Sequence, residues 1–196
     1  IDPVGAGISR LRNALIKDLV LNYDVKSIRG NMSEIKAIAN LIELDILQDS
    51  KSQSGKGVDV AADDIISKET LKKNGIIVKE LAKELNTTVG ASGPIDIISD
   101  GNKTFAIENG DEIMPCITGS GCMLTTIIGS YVGANDGLLG TVSASLLMAI
   151  AGEKAAAKVR ENDLGTGSFR TFLIDNLYKL TAEDLIENAN LYEIDI

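Results

Sequence analysis

Histidine is absent from all 196 residues, and that absence removes several chemistries at once. A Ser-His-Asp triad, a histidine-assisted cysteine nucleophile and the usual mixed zinc sites each need an imidazole. Cysteine is nearly absent too. Cys116 and Cys122 are the only two, too few and too widely spaced for a structural zinc site, and they make no disulfide framework. No run approaches eighteen uninterrupted apolar residues, so no membrane span is expected. With no signal-peptide pattern either, the expected setting is a reducing cytoplasm. Positive charge is in short supply: 19 Lys and Arg face 28 Asp and Glu, a formal charge of −9. That balance argues against nonspecific binding to nucleic acid or to an anionic membrane. It leaves room for a metal–nucleotide complex, whose cation local carboxylates welcome.

What is present suffices for one proper core. A hydrophobic content of 44% over this length predicts a single domain covering residues 1–196. The chain opens on IDPVGAG, without an initiator Met. This reads as the last residue of a strand entering a glycine-rich loop, in which Pro3 stops regular structure and Gly5 and Gly7 permit a tight turn. The expectation is a fragment lacking an N-terminal portion of its fold.

Ser9 is placed to cap a helix over about 10–22, with Leu11, Leu15, Leu19 and Val20 on its buried face. A strand at Val25–Ile28 leads to Arg29-Gly30-Asn31. Asn31 can cap the next helix, with Glu34 at the capping-box position and Ile35, Ile38, Ala39 and Ile42 as its apolar stripe. Residues 48–59 read as a polar surface loop. Helical periodicity returns over about 63–85, with a break expected at Asn74-Gly75, and Thr87–Ala91 reads as a buried strand. Ile95–Ser99 and Thr104–Glu108 flank Asp100-Gly101-Asn102, a strong hairpin signal. Two long helices follow, over about 121–133 and 138–160, then a last helix over 168–179 and a mixed tail. Alternating strands and helices predict an α/β protein with a mainly parallel sheet and a hairpin excursion.

Three elements can carry chemistry. In IRGNMSE, Arg29 and Glu34 lie beside a strand-to-helix turn. They read either as a solvated arginine next to a capped helix, or as a phosphate fork with a carboxylate that holds Mg²⁺ through water. In DPVGAG, Asp2 is either part of a simple turn or a carboxylate at a strand end, where open α/β sheets place their ligands. In TGSGC, Gly119, Ser120 and Gly121 can bring their amides close to an oxyanion at a helix N-terminus. The competing reading there is a turn with a small buried thiol at Cys122. Cys116, beside Pro115, reads as core or strand-end packing. SGKGVD lacks the upstream glycine and the Ser/Thr of a Walker loop.

Taken together, the ordered set DPVGAG, IRGN-x-x-E, the S-G-x-x-D of ASGPIDIISDG, and TGSGC followed by a long helix resembles hydroxyethylthiazole kinase, of the ribokinase-like superfamily. The resemblance implies a three-layer fold whose N-terminal part is missing from this chain. It implies ATP- and Mg²⁺-dependent phosphorylation of the hydroxyl of 4-methyl-5-(2-hydroxyethyl)thiazole in thiamin biosynthesis. It also implies a homotrimer with active sites at subunit interfaces. Carried onto this sequence, Arg29, Asn31 and Ser92 contact ATP along with the turn residues Ser120 and Gly121. Gly119 lies against the thiazole, and Asp2 and Glu34 serve the magnesium–phosphate assembly. Ser92 stands where the family usually has threonine, keeping the hydroxyl, and Pro94 replaces a common glutamate. Cys122 stands where the wider superfamily has an aspartate base, as a weak base or positioning group near the acceptor hydroxyl.

Other readings remain open. A pyrimidine kinase or an ATP-dependent hydrate dehydratase shares the G-x-G turn but usually carries aspartate at the Cys122 position. A non-catalytic nucleotide-binding protein would bind ATP without thiazole-dependent ADP release. A thiol redox protein would have to use a C-x₅-C spacing in place of C-x-x-C.

Overall fold

In a computed structural model that describes residues 1–44 and 64–196, helices cover both faces of a five-stranded sheet. The loop expected at 48–59 lies outside the described residues. Helix α1 (Arg10–Asn22) starts where Ser9 accepts the Arg12 N–H. Strand β1 (Ser27–Asn31) runs directly into α2 (Met32–Leu41), whose capping box is complete: Asn31 Oδ1 takes the Glu34 N–H and Glu34 takes the Asn31 N–H. Helix α3 (Leu71–Leu85) leads to β2 (Thr88–Ser92), β3 (Asp96–Ser99) and β4 (Thr104–Ile107). Then come α4 (Ser120–Ala134), α5 (Gly137–Glu161), α6 (Thr166–Lys179), α7 (Ala182–Asn188) and β5 (Leu191–Glu193).

The strands lie in sequence order, β1 to β5. Among the described strands, only the β1–β2 pair is parallel; β2–β3, β3–β4 and β4–β5 are antiparallel. The described sheet is therefore mixed, against the expectation of a mainly parallel one. Two antiparallel pairs come from the hairpin, which joins β2 and carries β4. The third comes from the tail, which adds β5 alongside β4. Ile1 also behaves as strand: its amino group donates to the Ser27 carbonyl at 2.7 Å, and its carbonyl accepts the Arg29 N–H at 2.9 Å. This is the pattern of a parallel bridge to Ile28.

Alternation along the strands sorts the core into two layers. Ile28, Val89, Ala91 and Ile97 face α2 and α3, packing with Ile35, Ile38, Val78 and Leu81. Ile98 and Ile107 face α5, packing with Val142, Leu146 and Ile150. A third cluster, including Leu124, Ile128, Met148, Phe169 and Leu173, joins α4, α5 and α6. Helix α5 is long and apolar enough to cross a membrane, but most of it is buried inside the fold. It packs closely because it is rich in small residues. A Cβ at Gly140 would come within 2.8 Å of the Val132 backbone, and one at Gly152 within 2.6 Å of Met114 Sδ.

Several local expectations are corrected. Helix α1 buries Ile16 and Val20 while Leu11 and Leu15 are exposed, because its apolar residues are spread around the cylinder and packing against α2 selects a different stripe. Helix α3 runs unbroken through buried Asn74 and Gly75, where the missing Cβ makes room for the Ile196 side chain. The first strand is shifted to Ser27–Asn31. Cys116 is exposed, and it ends a 3₁₀ turn over Met114–Cys116 in place of entering a strand.

Candidate active site

The C-terminal ends of the parallel pair β1 and β2 bring four segments together, and Arg29 lies at their meeting point. Its side chain is about 16% exposed, and Nε donates to Ser92 Oγ at 2.8 Å. The two residues are neighbours because register pairs Asn31 with Ser92 across the parallel ladder. One terminal nitrogen, Nη1, lies 3.9 Å from Asp2 Oδ2. The same nitrogen would be 3.2 Å from a Cβ at Gly121, so the glycine lets the guanidinium approach the first turn of α4.

The loop after Ile1 is shaped for backbone chemistry. Gly5 and Gly7 have φ of +73° and +86°, the left-handed region that L side chains resist. Glu34 ties this loop to the neighbouring helix start. Its Oε1 accepts the Gly5 N–H at 3.0 Å, and its Oε2 accepts the Asn31 N–H at 2.9 Å. Gly30 makes the contact possible, since a Cβ there would meet Glu34 Oε2 at 2.9 Å and Pro3 Cγ at 3.1 Å. Asp2, about 17% exposed, accepts a hydrogen bond from Thr125 Oγ1 at 2.7 Å.

Gly119, the residue before α4, has φ +93° and open space around it, so here glycine is required by conformation. No side chain caps this end. The amides of the first turn therefore remain available to an anion, as helix N-termini generally allow. Cys122, in that turn, is exposed, which excludes the buried-thiol reading. Nearby, Asp96 Oδ1 accepts the Gly93 N–H at 3.0 Å. Burial pushes the Asp96 carboxyl up to about 6, against the opposing pulls of the Gly93 N–H and the Arg29 charge.

The geometry thus unites Asp2, Arg29, Asn31, Glu34, Ser92 and Gly121, with Gly119, Ser120 and Cys122 on the same α4 turn. Asn31 enters as the α2 cap, its Oδ1 held by Glu34 N at 2.9 Å. Sequence reasoning missed Thr125, whose signal was its position one helical turn beyond Gly121 on the same face. It also gave no role to Asp96, although the residue closes the S-G-x-x-D motif. Among the described residues, no three carboxylates, cysteines or histidines cluster to hold a metal ion. Asp2 and Glu34 are the carboxylates of this cluster, and their oxygens accept Thr125 Oγ1 and the Gly5 and Asn31 N–H groups.

A family model described as hydroxyethylthiazole kinase family matches residues 1–183. A hydroxyethylthiazole kinase of Methanobrevibacter smithii is 53% identical over 191 residues, covering 97% of this chain and 65% of the relative. Hydroxyethylthiazole kinase 2 of Methanosphaera stadtmanae is 50% identical over 195 residues, covering 100% of this chain and 68% of the relative. Among solved structures, a hydroxyethylthiazole kinase protein from Pyrococcus horikoshii OT3 superposes with a TM-score of 0.79 at 28% identity. That match covers 99% of this chain and 64% of the other. The chain spans about two thirds of the length of the relatives it matches.

Proposed function

The chain belongs to the hydroxyethylthiazole kinase family, and from that premise we propose that residues 1–196 form a kinase domain that phosphorylates 4-methyl-5-(2-hydroxyethyl)thiazole with ATP. The observation that carries this reading is the placement of Arg29, hydrogen-bonded to Ser92 and flanked by Asp2 and Gly121. A buried-side, planar fork beside a helix N-terminus is suited to a polyphosphate.

In the reaction, Arg29 and the amides of Ser120 and Gly121 hold the phosphate oxygens and offset charge that builds during transfer. Ser92 orients the arginine, and Asn31 keeps the end of β1 and the start of α2 in register beside it. The acceptor hydroxyl, lying against Gly119, attacks the γ-phosphorus; the new O–P bond forms as the bridging P–O bond to ADP breaks. The hydroxyl proton passes to the Cys122 sulfur or is taken up by phosphate. Phosphoryl transfer depends chiefly on positioning and charge stabilisation, so a weak base suffices. Mg²⁺, when bound with ATP, neutralises phosphate charge, and Asp2 and Glu34 are the residues that would hold its water shell.

A homotrimer with interfacial sites and a cytoplasmic setting belong to the same reading. The exposed Val4, Ile8 and Leu11 beside the Asp2–Gly7 loop support an interface there, and light scattering of the intact protein tests the subunit number. The deciding experiment is ADP release with ATP, Mg²⁺ and the thiazole, using intact protein of verified mass. Thiazole-dependent release is expected, and its absence refutes the assignment. Cys122→Ser and Cys122→Asp then test the thiol: a fall of about 10–100-fold in kcat for serine is expected, whereas unchanged turnover in both removes Cys122 from the chemistry.

A further inference from the structure

Asp96 is a half-buried carboxylate that the mechanism above does not use. It opens β3, opposite Ile107 of β4, four residues beyond the end of β2. Between the strands lies Gly93-Pro94-Ile95, and Pro94 has no N–H to give. Asp96 Oδ1 takes the Gly93 N–H at 3.0 Å, closing the turn in the manner of a local Asx interaction. The residue just before that turn is Ser92, whose Oγ receives Arg29 Nε at 2.8 Å. On its other side, Gly93 abuts Ile66, which a Cβ would meet at 3.4 Å. The path from Asp96 to the arginine is thus one hydrogen bond, one peptide and a second hydrogen bond.

We propose that Asp96 is a positioning residue for nucleotide binding: it fixes the Ser92-Gly93 turn, and through Ser92 it sets the guanidinium of Arg29 toward the phosphates. The proposal rests on the kinase reading of the site. Its supporting chemistry is that an ionised carboxylate here is costly. Burial pushes the carboxyl up to about 6, yet it remains charged at neutral pH, where the Arg29 charge acts upon it. An asparagine would close the same turn without that cost, so the charge serves the cation beside it and not the fold.

The test uses intact protein and two readouts: the equilibrium Kd for MgATP, and KM for ATP against KM for the thiazole. Asp96→Ala is expected to weaken MgATP by ~10-fold, the order of one lost hydrogen bond to a charged network, while KM for the thiazole stays within about twofold. Asp96→Asn keeps an oxygen for the Gly93 N–H. It is expected to lose only ~3-fold and to melt at a higher temperature than wild type at pH 7. Adding Ser92→Ala to Asp96→Ala should cost little beyond the single change, because both act through one path. MgATP affinity within twofold of wild type in Asp96→Ala overturns the proposal, as does equal weakening of both substrates. Wild-type protein that binds MgATP without thiazole-dependent turnover removes the kinase reading but leaves the positioning role measurable by affinity. Wild-type protein without MgATP affinity overturns both.

Discussion

The two ends of the sheet hold their turns in different ways. At the hairpin end, Asp100 Oδ1 accepts the N–H groups of Asn102 and Lys103, and Ser99 Oγ bonds the Gly101 N–H and the Lys103 carbonyl. Every partner, including Thr104 whose hydroxyl donates to Ser99 Oγ, lies within five residues. At the site end, Glu34 reaches Gly5, Arg29 reaches Ser92, and Thr125 reaches Asp2, across 29, 63 and 123 residues. Local closure makes a turn that forms by itself and does little else. Remote closure makes a turn whose shape depends on the assembled fold, and it leaves backbone N–H groups and one arginine aimed at a common point.

That contrast can be broken most severely at Glu34. Glu34→Ala strands the Gly5 and Asn31 N–H groups together. It should cost about 2–4 kcal/mol in chemical denaturation and take ADP release with it. Asp96 gives a pH-dependent case. Its folded pKa of about 6 stands above the ordinary aspartate value of 3.8, so the folded state binds more protons than the unfolded state between those values. Its contribution is full below pH 4 and is lost as pH rises through 6, by up to about 3 kcal/mol. Asp96→Asn should therefore match wild-type stability near pH 4 and exceed it by pH 7; parallel curves across that range would refute the assignment. Gly30→Ala pushes a methyl into Glu34 and Pro3, and a loss of about 1–3 kcal/mol is expected from overpacking. Asp100→Ala is the control at the other end: under about 1 kcal/mol of stability and no change in KM for ATP.

The same division decided what could be read from the sequence. The hairpin, the Ser9 cap and the Asn31/Glu34 capping box are local signals, and each reappears in the structure. Helices α4 and α5 were equally legible from spacing and from their Ala, Leu and Met content. What failed depended on distant partners. The buried stripe of α1 was chosen by the helix it packs against, and Gly75 is buried where Ile196 occupies the space a Cβ would need. Strand β5 is only three residues long and exists because β4 offers it an edge. At the site, residue types and motifs pointed to Arg29, Ser92 and Glu34. The bonds among them follow from register between strands far apart in the chain, which no local pattern encodes. Thr125 emerged only from the docking of α4 against the Asp2 loop, whereas the Asp96–Gly93 bond is local and lay within the S-G-x-x-D motif.

The contact between Gly30 and Glu34 has a consequence for how such a sequence can drift. A larger residue at 30 needs a shorter one at 34, yet shortening 34 releases two loops and a candidate ligand of the phosphate assembly. A larger residue at 30 gains nothing unless 34 has already changed. Neither position has a viable first step, so descendants of this chain are expected to keep both residues or to replace the whole loop in a single event.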